Sequence, residues 1–85
     1  MKFPTIHLNG TSREQLEGCY TVAYYGVCDA LHALEQVELN GRDYYPQGPE
    51  AFSEALREHT ERCVALRAVR DQLSEIVEHL QEGKS

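Results

Sequence analysis

The chain has 85 residues, with 14 acidic side chains against 8 basic ones and a formal charge of −6. A domain this short buries only about 60% of the surface its unfolded form exposes, so a single copy is expected to be marginally stable. The acidic balance disfavours general attraction to a nucleic-acid backbone or an anionic membrane, and any anion binding has to be local.

Residues 1–10 read as a short extended arm. From Phe3 to Leu8 the sequence puts Pro4, Ile6 and Leu8 on one side of an extended chain and Phe3, Thr5 and His7 on the other, as a strand would. Six residues cannot make a sheet alone, so a strand here would need the same segment of a second copy. The arm lacks the charged-then-apolar order of a signal peptide, and no run of 18 apolar residues follows it; the expectation is a soluble, cytoplasmic chain that does not meet a membrane.

Asn9-Gly10 then turns the chain, and Thr11 or Ser12 can cap a helix, with Glu14 and Gln15 three residues on as capping-box partners. The expected first helix runs over 12–39. Its apolar seam is Leu16, Tyr20, Ala23, Val27, Ala30, Leu34 and Val37, the register of helices lying nearly side by side, and Leu39-Asn40-Gly41 is its stop signal. The β-branched and aromatic run Tyr20 to Val27 offers a strand as the alternative, but the seam spacing continues through it.

Residues 40–49 hold two glycines and two prolines and are expected to loop. A second helix over 50–82 follows, with a seam of Phe52, Leu56, His59, Cys63, Leu66, Arg70, Leu73, Val77 and Leu80. At 1.5 Å per residue the two helices span about 42 and about 48 Å, which suits an antiparallel hairpin in one all-α domain. The first helix carries a further uncharged face through Gly18, Thr21, Val22, Tyr25 and Cys28; a two-helix protein can bury it only against another molecule, so a homo-oligomer is expected.

No nucleophile-and-base arrangement, Walker motif or Gly-x-Gly-x-x-Gly motif occurs, and no enzymatic activity is expected. Three cysteines without paired spacing argue against a disulfide framework. Cys28, His32, His59 and Cys63 are a zinc-type donor set, but helical phase turns the first two away from the seam and the last two into it; neither a metal nor a cofactor is expected.

Two segments spend residues that a plain hairpin does not require. His7, Asn9, Gly10, Thr11, Ser12 and Arg13 place amides, hydroxyls, an imidazole and a guanidinium around a helix N-terminus, where an anion such as phosphate is favoured; a capped turn is the plainer reading. Arg42, Tyr44, Tyr45 and Gln47 offer a phosphate ligand, flat rings for stacking and an amide for polar contacts, with one tyrosine expected to plug the hairpin end and one to stay available. The two segments sit about 40 Å apart on one hairpin and can meet only between antiparallel copies.

The stretches PTIHLNGTS (4–12) and NGRDYYPQGP (40–49) resemble a group of short phage- and prophage-encoded proteins of about this length. The resemblance implies a viral origin and the bacterial cytoplasm. It transfers no functional residue, and it suggests an anti-defence role only by association. The leading expectation is a non-catalytic sponge that sequesters a small phosphorylated nucleotide signal between subunits. The alternatives are an inhibitor that docks on a host protein through the acidic face of Glu54, Glu58 and Glu61, and a structural or assembly accessory.

Overall fold

A computed structural model describes residues 1–83 as two long antiparallel helices, α1 (Arg13–Glu35) and α2 (Ala51–Glu82), joined by a connection that contains two 3-10 turns, Gly41–Asp43 and Tyr45–Gln47. No strand occurs among the described residues. The molecule is a rod of 61 × 20 × 19 Å, and its radius of gyration of 18.7 Å far exceeds the roughly 12 Å of a compact domain of this length.

Ser12 is the cap of α1. Its backbone is extended and its hydroxyl accepts the Gln15 N–H at 3.2 Å, which satisfies one of the donors that a helix start leaves over. The helix stops at Glu35, one turn before the expected Leu39. Gln36 and Val37 still donate to carbonyls of the last turn, and the chain then leaves the helix so that Leu39 and Tyr44 fold over the open end of the hairpin. Tyr44 meets Phe52 with ring centroids 6.1 Å apart. Apolar burial at the hairpin end outweighs four further residues of helix, because local stop signals carry no information about tertiary cover. Gly48 has φ 120°, a conformation that glycine adopts without strain, and sets the entry into α2 just before Pro49.

The core is a thin line between the helices. Leu31, Cys63, Ile76 and Leu80 are the buried hydrophobic residues among those described. On α2 the expected seam lies inward except for Leu56, which is exposed, and Ile76 joins it. On α1 the seam is rotated from the expected one. Leu16, Tyr20, Val27 and Leu34 do face α2, but Tyr24 and Leu31 take the inward places, while Ala23, Ala30 and Val37 are exposed. The larger side chains occupy the interior because each removes more apolar area from water, about 25 cal/mol per Å2.

Both ends are fastened. At one end the Arg13 guanidinium donates to the Leu80 carbonyl, which answers an orphan acceptor of α2 and places a cation at the negative end of its dipole. Gln81 donates to Glu17 at 3.4 Å beside it. Toward the other end Arg67 and Glu35 form a cross-helix ion pair at 3.0 Å.

The arm forms no strand. Phe3 stacks on His79 with centroids 4.7 Å apart, the ring Nε2 of His79 lies 3.1 Å from the Pro4 carbonyl, and residues 8–10 turn the chain into α1. The arm thus spends its packing on α2 of its own chain.

Candidate functional site

The ligand-capable residues fall into two groups at opposite ends of the rod. His7, Asn9, Gly10, Thr11, Ser12 and Arg13 gather at the start of α1. Gly10 donates to the His7 carbonyl at 3.1 Å, and a Cβ at Gly10 would come within 2.7 Å of His7 Nε2, so the imidazole lies over the turn. Ser12 is committed to Gln15, and Arg13 is committed to Leu80 and stands against Gly83. Asn9 and Thr11 are exposed. The free backbone amides at this helix start therefore have His7, Asn9 and Thr11 beside them rather than a loose guanidinium.

The second group is Arg42, Tyr44, Tyr45 and Gln47. Tyr44 is half-buried against Phe52 and plugs the hairpin end, while Tyr45 is 75% exposed. Two consecutive 3-10 turns hold this loop: Asp43 and Tyr44 donate to Asn40 and Gly41, and Gln47 and Gly48 donate to Tyr44 and Tyr45. The ring of Tyr45 and the side chains of Arg42 and Gln47 consequently project from a fixed backbone. Five of the six arginines are engaged, Arg13 with Leu80, Arg57 with Glu61, Arg62 with Glu58, Arg67 with Glu35 and Arg70 with Asp71. Among the described residues Arg42 is the arginine left without an acidic or carbonyl partner.

Beside this loop lies a depression of about 430 Å3 whose floor is Leu34, Val37, Leu39 and Ala55 and whose rim carries Glu38, Asp43 and Glu58 with His59 and Arg62. Arg62 is drawn toward Glu58 at 3.9 Å. Three carboxylates against one shared arginine give a rim that repels phosphate. A single chain therefore holds no concave anion site at this end, and Arg42 and Tyr45 stand outside the depression.

The cysteine and histidine set is dispersed. His59 Nε2 lies 3.8 Å from the buried Cys63 Sγ, and His32 is exposed on α1. Cys28 does not face away from α2 as its helical phase suggested: it is half-buried beside Tyr24, and its hydrogen bond and charge, followed by burial, push the Tyr24 hydroxyl above its ordinary pKa of 10.0, with Arg70 opposing. No group of three or more metal-ligating side chains occurs among the described residues. No helix among them is long and apolar enough to cross a membrane.

The acidic face of α2 is partly self-neutralised. Glu58 and Glu61 each face an arginine one turn away, and Glu54 sits in the first turn, where the dipole favours it. Sequence reasoning missed the Phe3 and His79 stack; the signal was a histidine in the last turn of a helix, where its ring can accept a returning chain.

No family model matches this chain, and neither a curated protein nor a solved structure does. The geometry defines an antiparallel helical hairpin with a polar, ligand-capable group at each tip.

Proposed function

We propose that this chain is a non-catalytic binding protein that assembles with copies of itself and holds a small phosphorylated nucleotide between subunits. The observation that carries the reading is that Arg42, unpartnered among the described residues, and the exposed ring of Tyr45 share a loop fixed by two 3-10 turns. A guanidinium supplies directed donors for phosphate, and a flat ring stacks on a base; the combination in a braced loop costs little ordering on binding. Asn9, Thr11 and His7 from another copy would complete the polar contacts. On the resemblance to phage-encoded chains, the role is that of an anti-defence sponge for a nucleotide signal in the bacterial cytoplasm.

The acidic-face inhibitor is the weaker alternative, since its carboxylates already spend part of their charge on Arg57 and Arg62. A thermal-shift screen against cyclic and linear nucleotides tests the proposal. A ligand at a hundred times its Kd adds about 2.7 kcal/mol of stability, on the order of 10 °C in Tm for a chain of this size. Arg42→Ala and Tyr45→Ala abolish the rise while leaving the unliganded Tm unchanged. A flat response across the nucleotides overturns the reading.

A further inference from the structure

Leu8 is a knob without a socket in its own chain. It is 98% exposed, ahead of Tyr45 at 75% among the large apolar side chains described. The turn that carries it is braced. Gly10 donates to the His7 carbonyl at 3.1 Å, the His7 imidazole lies over Gly10, and Ser12 caps α1 directly after the turn. A single exposed leucine is ordinary on a protein surface. One displayed by a braced turn gives up little freedom when it is buried, which is how the central anchors of an interface work.

The opposite end of the rod holds a socket without a knob. The depression of about 430 Å3 beside the loop has an apolar floor of Leu34, Val37, Leu39 and Ala55, and Val37 is 52% exposed there. The length of α1 alone puts about 33 Å between its two ends, so Leu8 cannot reach this floor in its own chain.

Charge says what suits the socket. Its rim of Glu38, Asp43 and Glu58 against the single Arg62 turns anions away and favours an apolar plug set among positive charge. The Leu8 turn has that character. From Met1 to Arg13 the chain carries Lys2 and Arg13 and no carboxylate, and the turn stands at the positive end of α1, whose own Glu14 is the first acidic residue.

We infer that Leu8 of one copy seats in the apolar depression at the loop end of a second copy. The inference rests on the proposed reading of a ligand held between subunits, and it names the contact that brings the two tips together. His7, Asn9 and Thr11 flank the knob, while Arg42 and Tyr45 flank Asp43 and Tyr44, which line the socket. Seating Leu8 therefore sets the polar group of one tip beside the guanidinium and the exposed ring of the other. An antiparallel pair makes the contact twice, and the second then forms inside an existing complex.

Two measurements test it on the full chain. Light scattering over a micromolar dilution series is expected to give a dimer or a multiple of it. Leu8→Gln is expected to weaken association at least tenfold while circular dichroism stays that of the parent, since the side chain has no cover in its own chain to lose. In the second, Asn9→Cys chains and Glu38→Cys chains are mixed, treated with a short bis-maleimide and mapped by mass spectrometry. A link between positions 9 and 38, which in this mixture joins two chains, is expected. An oligomer that Leu8→Gln does not weaken, or one that lacks the 9 to 38 link, overturns this contact and leaves the inter-subunit reading standing. A well-folded monomer overturns both. A 9 to 38 link beside a flat nucleotide screen supports the contact and removes the ligand.

Discussion

The two faces of α1 are both uncharged through the middle of the helix, yet they are built from different sizes of side chain. The inner face presents Leu16, Tyr20, Tyr24, Val27, Leu31 and Leu34 to α2; the outer face presents Cys19, Ala23, Gly26, Ala30 and Ala33 to solvent. Large residues stabilise the hairpin by the area they remove from water, whereas small ones contribute little to a lone chain and much to the closeness of a neighbour. Polarity alone does not tell the face that packs the hairpin from the face left in solvent; volume does.

Substitutions separate the two roles. Leu31, 3% exposed at the centre of the inner face, gives the largest effect: Leu31→Ala is expected to cost about 2–5 kcal/mol, seen as a lower urea midpoint at fixed protein concentration. Ala33→Ser on the outer face stays within about 0.5 kcal/mol of the parent, so a large loss there would mean that the outer face helps to fold the chain itself. At the loop end Tyr44→Ala removes the ring that packs on Phe52 and costs about 1–2 kcal/mol, while Tyr45→Ala leaves the melt unchanged. Equal costs would show that both rings plug the hairpin. Arg13→Ala, which frees the Leu80 carbonyl, costs about 1 kcal/mol. Its signature is faster amide exchange over the last turn of α2, read by mass spectrometry, with the centre of the rod unaffected.

The same contrast explains what could be read from the residues alone. The α2 seam was legible at nearly every position because its inward apolar residues are mostly large and many of its outward ones are charged, so a period near 3.6 finds them in spite of the exposed Val64 and Val69. On α1 a 4-3-4-3 pattern can be drawn through either the large set or the small set, and the expected seam crossed from one to the other at Ala23, Ala30 and Val37. Weighing Leu31 by its volume would have fixed the phase. The early end of α1 was not legible, since the contact between Tyr44 and Phe52 that closes the hairpin lies between residues the chain brings together only by folding. At the candidate site one plugging and one available tyrosine were legible, but which was which was not, because the contact of Tyr44 with Phe52 exists only in the folded hairpin. The commitment of Arg13 to Leu80, 67 residues away, was not legible either, because a guanidinium at a helix start looks the same whether it awaits an anion or fastens another helix.

The smallest expected effect lies on the inner face and tests whether its contacts form as described. The Tyr24 hydroxyl is raised above 10.0 chiefly by the Cys28 thiol beside it, and to a lesser degree by burial, against the pull of Arg70. A group that holds its proton more tightly in the folded chain than in the unfolded one contributes stability that is complete below pH 10 and is lost as the pH rises past the unfolded value and through the raised folded one. Cys28→Ala removes the largest cause, so the tyrosinate absorbance of Tyr24, isolated as the difference from Tyr24→Phe, should shift to lower pH. An unchanged titration would place Cys28 away from Tyr24, back among the outward residues, and the division of α1 into a packed face and an exposed face would have to be redrawn through that pair. Ala30 lies two residues further along and is exposed, so a change there should leave this titration untouched. Ala30→Glu with the parent's Tyr24 curve would show that the two faces act independently.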